Sequence, residues 1–126
     1  MIMIIGGAYQ GKYSYAKQWV EEENRWIDGE TCEYDDIFKC GGINHFHLFV
    51  KRFMGSEAFT KLVQKLQEKN PEIVIVTDEL GLGVVPVDAS DRAWREKTGR
   101  IGTALAADAA EVHRVVCGIG MVIKGA

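Results

Sequence analysis

Apolar residues along this chain fall into two rhythms, short unbroken runs and helical repeats, and the two alternate. Ile2 to Ile5 is a continuous apolar run stopped by Gly6-Gly7, which predicts a strand buried in a parallel sheet. Tyr15, Ala16, Trp19 and Val20 then recur at helical spacing, and Glu21, Glu22 and Glu23 close a solvated face. From Asn24 to Tyr34 the polarity is high and no period is legible. Behind Asp35-Asp36, the pair Ile37-Phe38 reads as a short second strand. Ile43, Phe46, Val50 and Phe53 mark one helix; Phe59, Leu62, Val63 and Leu66 mark the next, which Asn70-Pro71 ends. Ile73 to Glu79, IVIVTDE, is the clearest strand, with two carboxylates where it should stop. GLGVVPVD is a loop by its glycines and proline, and Asp91 is the expected cap of a long helix carrying Trp94, Ile101, Leu105 and Ala109. EVHRVV is a further strand, CGIG a turn and MVIK a last strand antiparallel to its neighbour. Strands alternating with helices predict an α/β layered fold, its sheet mostly parallel with a C-terminal antiparallel strand.

Composition narrows what such a sheet can serve. A chain of 126 residues suits one domain, 1–126, and 47% apolar with 26% charged residues is ordinary for a folded globular protein. The net charge of −3 leaves no broad basic field for a nucleic-acid backbone. No apolar run approaches the roughly 20 residues needed to cross a bilayer, and MIMIIGG lacks the basic flank of a signal peptide. Cys32, Cys40 and Cys117 are an odd set without a disulfide framework, which suits a reducing compartment. The expectation is a soluble cytoplasmic protein that partners neither nucleic acid nor membrane.

Between the first strand and first helix, Gly6-Gly7-Ala8-Tyr9-Gln10-Gly11-Lys12 fits G-x-x-x-x-G-K, a phosphate-binding loop in its proper strand–loop–helix context. Glycines let the backbone curl so that successive N–H groups point at phosphate oxygens, and Lys12 reaches the β- and γ-phosphates. The nucleotide contacts expected on this pattern run from Gly6 and Gly7 through Ala8, Tyr9, Gln10, Gly11 and Lys12 to Tyr13 and Ser14. Tyr13 stands where a short hydroxyl side chain would ligate Mg²⁺, and Ser14, about 100° further round the helix, is badly placed to replace it. Asp78, at the carboxyl end of an apolar strand, is the expected magnesium ligand, and Glu79 the residue that orients or deprotonates an acceptor hydroxyl. Lys12, Asp78 and Glu79 are thus the candidate catalytic residues, acting on Mg²⁺ with ATP or GTP.

VIVTDELGLGVVPVD and the following RAWREKTGRIGTALAADAAEVHRVVCGIGMVIK resemble the adenosylcobinamide kinase/adenosylcobinamide-phosphate guanylyltransferase family. The family pattern is an apolar strand, an acidic pair, G-x-G-x-V-P, an R-x-x-R-x-x-x-G-R helix and a closing V-x-G-I-x-x-x-I-K. Glu79, Gly81, Gly83, Val85, Pro86, Arg92, Arg95, Gly99, Arg100, Gly118 and Lys124 match it in order, and GGAYQGK is similar to the family's G-G-A-x-x-G-K-S. The resemblance implies a three-layer, RecA-like P-loop NTPase domain, often a homotrimer, that phosphorylates the aminopropanol hydroxyl of adenosylcobinamide. It also implies GMP transfer through a guanylylated histidine in the full enzymes.

Departures from the pattern favour a rival, a nucleotide-binding relative that regulates or scaffolds instead of catalysing. Tyr13 replaces the family's serine, and nothing between the first helix and Cys40 reproduces its R-I-x-x-H segment. Laying IFKCGGINHFHLFV against the family's strand–carboxylate–cysteine segment puts Lys39 where an acidic residue is usual. Of the candidate GMP carriers, His113 falls in a strand and reads as packed, while His45 and His47, two apart on a helix, point to different sides. Cys32, Cys40, His45 and His47 match no usual zinc spacing. Arg92, Arg95 and Arg100 are either a phosphate or partner clamp or a solvated face paired with Asp91 and Glu96. Trp94 and the GLGVVP loop are candidates for the edge of the site.

Overall fold

The computed structural model describes residues 1–80 and 88–125. The N-terminal half holds β1 (Ile2–Gly6), α1 (Lys12–Ala16), β2 (Trp26–Asp28), β3 (Gly42–Asn44) and α2 (Phe46–Phe53). The C-terminal half holds α3 (Leu62–Lys69), β4 (Val74–Asp78), α4 (Ala89–Asp108), β5 (Glu111–Val116) and β6 (Ile119–Lys124). The strands form one six-stranded sheet in the order β2-β3-β4-β1-β5-β6. All neighbours are parallel except β5 and β6, which close the edge as an antiparallel hairpin.

Period-two alternation along the central strands builds a core on each side of the sheet. Met3, Ile75 and Val112 face Phe46, Phe49, Leu66, Ile101 and Leu105 of α2, α3 and α4. Ile4, Val74, Val76 and Val115 face Ala16 and Val20, with Tyr15 and Trp19 at the margin. The result is three layers, as the sequence implied, with the thicker helical layer on the α2–α4 side. No helix among the described residues is long and apolar enough to cross a membrane.

Several elements differ from the sequence expectation, each for a local reason. α1 stops at Ala16, because the chain turns tightly through Trp19, whose N–H donates to the Ala16 carbonyl at 3.1 Å. Tyr15, Ala16, Trp19 and Val20 still form one packing face. Ile37-Phe38 is not a strand but the end of a 3₁₀ turn, Tyr34–Phe38, with Glu33 and Asp36 exchanging side chain-to-backbone bonds at its start. The second and third strands lie instead at Trp26–Asp28, inside the aperiodic stretch, and at Gly42–Asn44, ahead of the helix that Ile43 was expected to join. Two contacts make these short strands possible. The Trp26 ring lies so close over Gly42 that a Cβ there would sit 2.5 Å from it, and Arg52 donates to the carbonyls of Gly29 and Cys32. Asp88, rather than Asp91, caps α4 by accepting from the Ser90 N–H. The loop expected over GLGVVPVD lies, apart from Asp88, outside the described residues.

Phe49 is fully buried and ring-packed against Phe46, Phe53 and Tyr34. Phe49→Ala is expected to cost about 3–5 kcal/mol, read as a lower urea midpoint with an unchanged slope.

Candidate active site

The site is assembled by the pairing of β1 with β4, which sets Gly6 beside Asp78 at the carboxyl ends of adjacent strands. The loop leaving β1 curls over a cavity of about 380 Å³ that Lys12, Tyr13 and Ser14 share with Asn44, His45, His47 and Asp78. Glycine is required at two points of that curl. A Cβ on Gly6 would lie 2.5 Å from the Val115 carbonyl oxygen, and Gly11 takes φ 82 as it enters α1. The loop is braced from outside by the β5–β6 turn: the Gln10 carbonyl accepts from the Gly118 N–H at 2.8 Å, and its side chain accepts from the Cys117 N–H at 2.6 Å. Among the described residues, the N–H groups from Gly7 to Gly11 donate no hydrogen bond within the protein. They are the donors a phosphate would use. Because α1 is a single turn, the seat depends on these amides and on Lys12 more than on a helix dipole.

Lys12 is buried, and its ammonium donates to the Gly7 carbonyl at 2.6 Å and pairs with Asp78 Oδ1 at 2.7 Å. On the other side of that carboxylate, His47 Nε2 lies 3.4 Å from Oδ2. The Asp78 main-chain N–H donates to His47 Nδ1, so Nε2 carries the ring hydrogen and faces the carboxylate. Burial, foremost, lowers the His47 pKa from its ordinary value and keeps the ring neutral. The Trp94 indole N–H donates to the His47 carbonyl at 2.7 Å, with its ring stacked over the imidazole and the Lys51 ammonium on it. Trp94 therefore props the site from behind.

Histidines 45 and 47 were expected to point apart, and they meet instead. His45 precedes α2 in the left-handed region (φ 55), outside the helix, which brings its ring within 5.9 Å of His47. Its Nδ1 binds Asp28 Oδ1 at 3.0 Å. Asp28, Glu30 and His45 form a ligand group whose donor atoms lie within 4.8 Å of one another, which sequence reasoning missed because Asp28-Gly29-Glu30 sits in the aperiodic stretch. The strand end facing the cavity is Asn44, so Lys39, which follows the 3₁₀ turn, does not occupy that position. Ser14, expected to turn away, lies on the cavity wall beside Tyr13. Tyr13 packs edge-on against Trp26 with the Lys17 ammonium over its ring.

The remaining candidates lie elsewhere. Glu79 pairs with Arg114 at 2.8 Å and lines a neighbouring cavity rather than the one under the loop. His113 is buried and held between Tyr15 and Glu111, packed as the sequence implied. Arg100 pairs with Glu96 on the helix surface. Cys32 and Cys40 belong to the core, and among the described residues neither joins His45 or His47 in a possible ligand group, so the four-residue zinc set is not assembled. As for magnesium, Asp78, Ser14 and Asn44 line one cavity and carry oxygen donors of the kind Mg²⁺ prefers, the Asn44 oxygen also accepting from the His45 N–H.

The model of the family described as cobinamide kinase / cobinamide phosphate guanyltransferase matches residues 44–123. The chain belongs to that family. Similar curated proteins are the bifunctional adenosylcobalamin biosynthesis proteins CobU of Salmonella typhimurium (strain LT2) and Escherichia coli (strain K12), each 43% identical over 63 residues. The aligned stretch is 50% of this chain and 35% of each relative, so the chain spans about a third of the length of the curated relatives it matches. The cobinamide kinase match starts at Asn44 and does not include the phosphate loop, which rests on its own motif and geometry.

Burial pushes the Cys40 thiol up to about 12 and raises Cys32 as well, whereas Cys117 is exposed in the β5–β6 turn. In the native protein a maleimide should label Cys117 rapidly and leave Cys32 and Cys40 unreacted until urea is added; mass spectrometry of digested peptides checks this.

Proposed function

We propose that the chain, as one P-loop domain of the RecA-like class, is a cytoplasmic adenosylcobinamide kinase that uses ATP or GTP with Mg²⁺ to phosphorylate the aminopropanol hydroxyl. One observation carries the reading: Lys12 and Asp78 face each other beneath a loop whose main-chain donors have no partner among the described residues. Lys12 is held by Asp78 and the Gly7 carbonyl. Triphosphate oxygens entering the loop take over the ammonium and the loop N–H groups, which frees the Asp78 carboxylate from Lys12. Asp78 would be the protein ligand of the magnesium, which when bound would neutralise the charge spreading over the γ-phosphoryl group. The acceptor oxygen bonds to the γ-phosphorus as the bond to the β,γ-bridging oxygen breaks, the nucleoside diphosphate leaves, and the hydroxyl proton passes to Glu79 or to water. Positioning and charge do the work, since phosphoryl transfer asks little covalent chemistry of the protein.

Guanylyl transfer has a thinner basis here. Such a carrier needs a free imidazole nitrogen at the α-phosphate, and His47 has one ring nitrogen bonded and the other facing Asp78. A second reading, a non-catalytic nucleotide binder in a corrinoid pathway, is favoured by Tyr13, whose ring is packed against Trp26 instead of offering a short hydroxyl. The proposal includes a homo-oligomer, a trimer by family resemblance, which light scattering tests.

Mg²⁺ with ATP or GTP is expected to raise the melting temperature of the wild type, and radiolabelled γ-phosphate is expected on adenosylcobinamide. Lys12→Ala should abolish the nucleotide-induced shift. Asp78→Asn should keep part of it while lowering turnover by about 100-fold or more. Stabilisation without turnover in the wild type would select the non-catalytic reading, and no nucleotide effect at all would refute both.

A further inference from the structure

Where β2 and β3 end side by side, the fold gathers Asp28, Glu30 and His45, none of which has a part in the phosphoryl transfer described above. One donor atom from each lies within 4.8 Å of the other two, the span of a single ion's ligand shell. His45 Nδ1 and Asp28 Oδ1 are 3.0 Å apart. Two ligand atoms each about 2.1 Å from one cation stand roughly 3.0–3.4 Å from one another, so this pair already has the spacing a metal would impose.

The main chain builds that convergence. Parallel pairing sets Asp28 opposite Asn44, and the Gly29 N–H donates to the Asn44 carbonyl at 2.8 Å. Only glycine fits between the two ligand-bearing segments, because a Cβ on Gly29 would lie 2.3 Å from the His45 carbonyl oxygen. Arg52 anchors Gly29 by donating to its carbonyl at 2.8 Å, and the His45 N–H is tied to the Asn44 side chain at 3.0 Å. The ligands therefore hang from backbone that is fixed before any ion arrives, which lowers the cost of ordering them around one.

Charge and room point the same way. Two carboxylates stand beside the imidazole, and among the described residues no lysine or arginine pairs with Asp28 or Glu30. Asp28 and His45 are half-exposed, so an ion reaches them from solvent. Asp28 lines a cavity of about 230 Å³ with Tyr13, Trp26 and Asn44, while His45 lines the nucleotide cavity. Three protein ligands leave coordination positions open, and these cavities have space for the water or ligand oxygens that fill them.

We propose that Asp28, Glu30 and His45 form a second cation site, distinct from the magnesium position at Asp78, that takes a first-row divalent ion with Zn²⁺ well ahead of Mg²⁺. An imidazole among carboxylates selects that class, since Mg²⁺ prefers oxygen ligands and keeps much of its water. His45 ligates through Nδ1 with its ring hydrogen on Nε2, and the ion replaces the hydrogen that links Nδ1 to Asp28. A bound ion ties together the ends of the two shortest strands in the sheet and fixes the His45 ring on the wall of the nucleotide cavity. The site stands on its own geometry and does not require the kinase reading.

The probe is Zn²⁺ itself, titrated without nucleotide into the full chain and followed by NMR of the ring C–H groups of its three histidines. The His45 signals are expected to move and saturate, with His113 unmoved and His47 following only weakly, and the melting temperature should rise. The same concentration of Mg²⁺ should leave His45 in place. Asp28→Asn and Glu30→Gln should each weaken Zn²⁺ binding by about tenfold or more, a loss seen even for groups that only support a ligand. Glu30→Gln guards against misfolding: Glu30 is exposed, so without metal the variant should melt with the wild type. His45 signals that stay put at millimolar Zn²⁺, a response centred on His47, an equal response to Mg²⁺, or affinity that survives both substitutions overturns the proposal. Failure of ATP and GTP to stabilise the wild type refutes the kinase reading instead and leaves the zinc result untouched.

Discussion

Two strands separated by most of the chain, β1 and β4, pair in parallel register, and everything at the carboxyl edge of the sheet follows from that pairing. It places the glycines that open the phosphate loop beside the carboxylate that ends β4. Lys12 and Asp78 then meet in a partly buried contact where each charge has the other as its partner. Neither is easily buried alone, since an isolated ionised group loses its hydration with no return. The pair therefore holds the loop open in a defined shape while remaining exchangeable for a ligand that brings its own negative charge.

Around that contact the structure is arranged in successive supports. His47 takes the far side of the Asp78 carboxylate, Trp94 takes the carbonyl of His47, and Lys51 lies over the Trp94 ring. On the other flank the β5–β6 turn ties itself to Gln10. These links come from α2, α4 and the terminal hairpin, so the loop's geometry is set by elements distributed along the whole chain. Membership of the cobinamide kinase / cobinamide phosphate guanyltransferase family agrees with this arrangement, although the matched stretch covers only what surrounds the loop from β3 onward. Asp78 lies inside the matched stretch and the loop outside it.

Where sequence pattern and structure part, the cause is residue-specific. β3 holds a glycine under the Trp26 ring and a single isoleucine, too little for an alternating signal. The apparent second strand, Ile37-Phe38, lost to a local exchange of bonds between Glu33 and Asp36 that closes a 3₁₀ turn. The expectation that His45 and His47 point apart on one helix failed because His45, left-handed at the helix entry, lies outside the helix and turns its ring toward His47.

Linear order alone carried the central strands, the closing hairpin and the curled glycine loop ending in Lys12, because each is dictated by neighbours: unbroken apolar runs for buried strands, glycines for a curled backbone. It also carried Asp78, which sits where an apolar run stops. The Asp28–His45 pair, the turn that braces Gln10, the displacement of Glu79 to Arg114 and the cavity beneath Thr98 left no trace in it. Each joins groups from 17 to 107 positions apart or depends on which face of α4 meets the sheet. Such contacts exist only once the layers have packed, since burial is what brings the partners within reach.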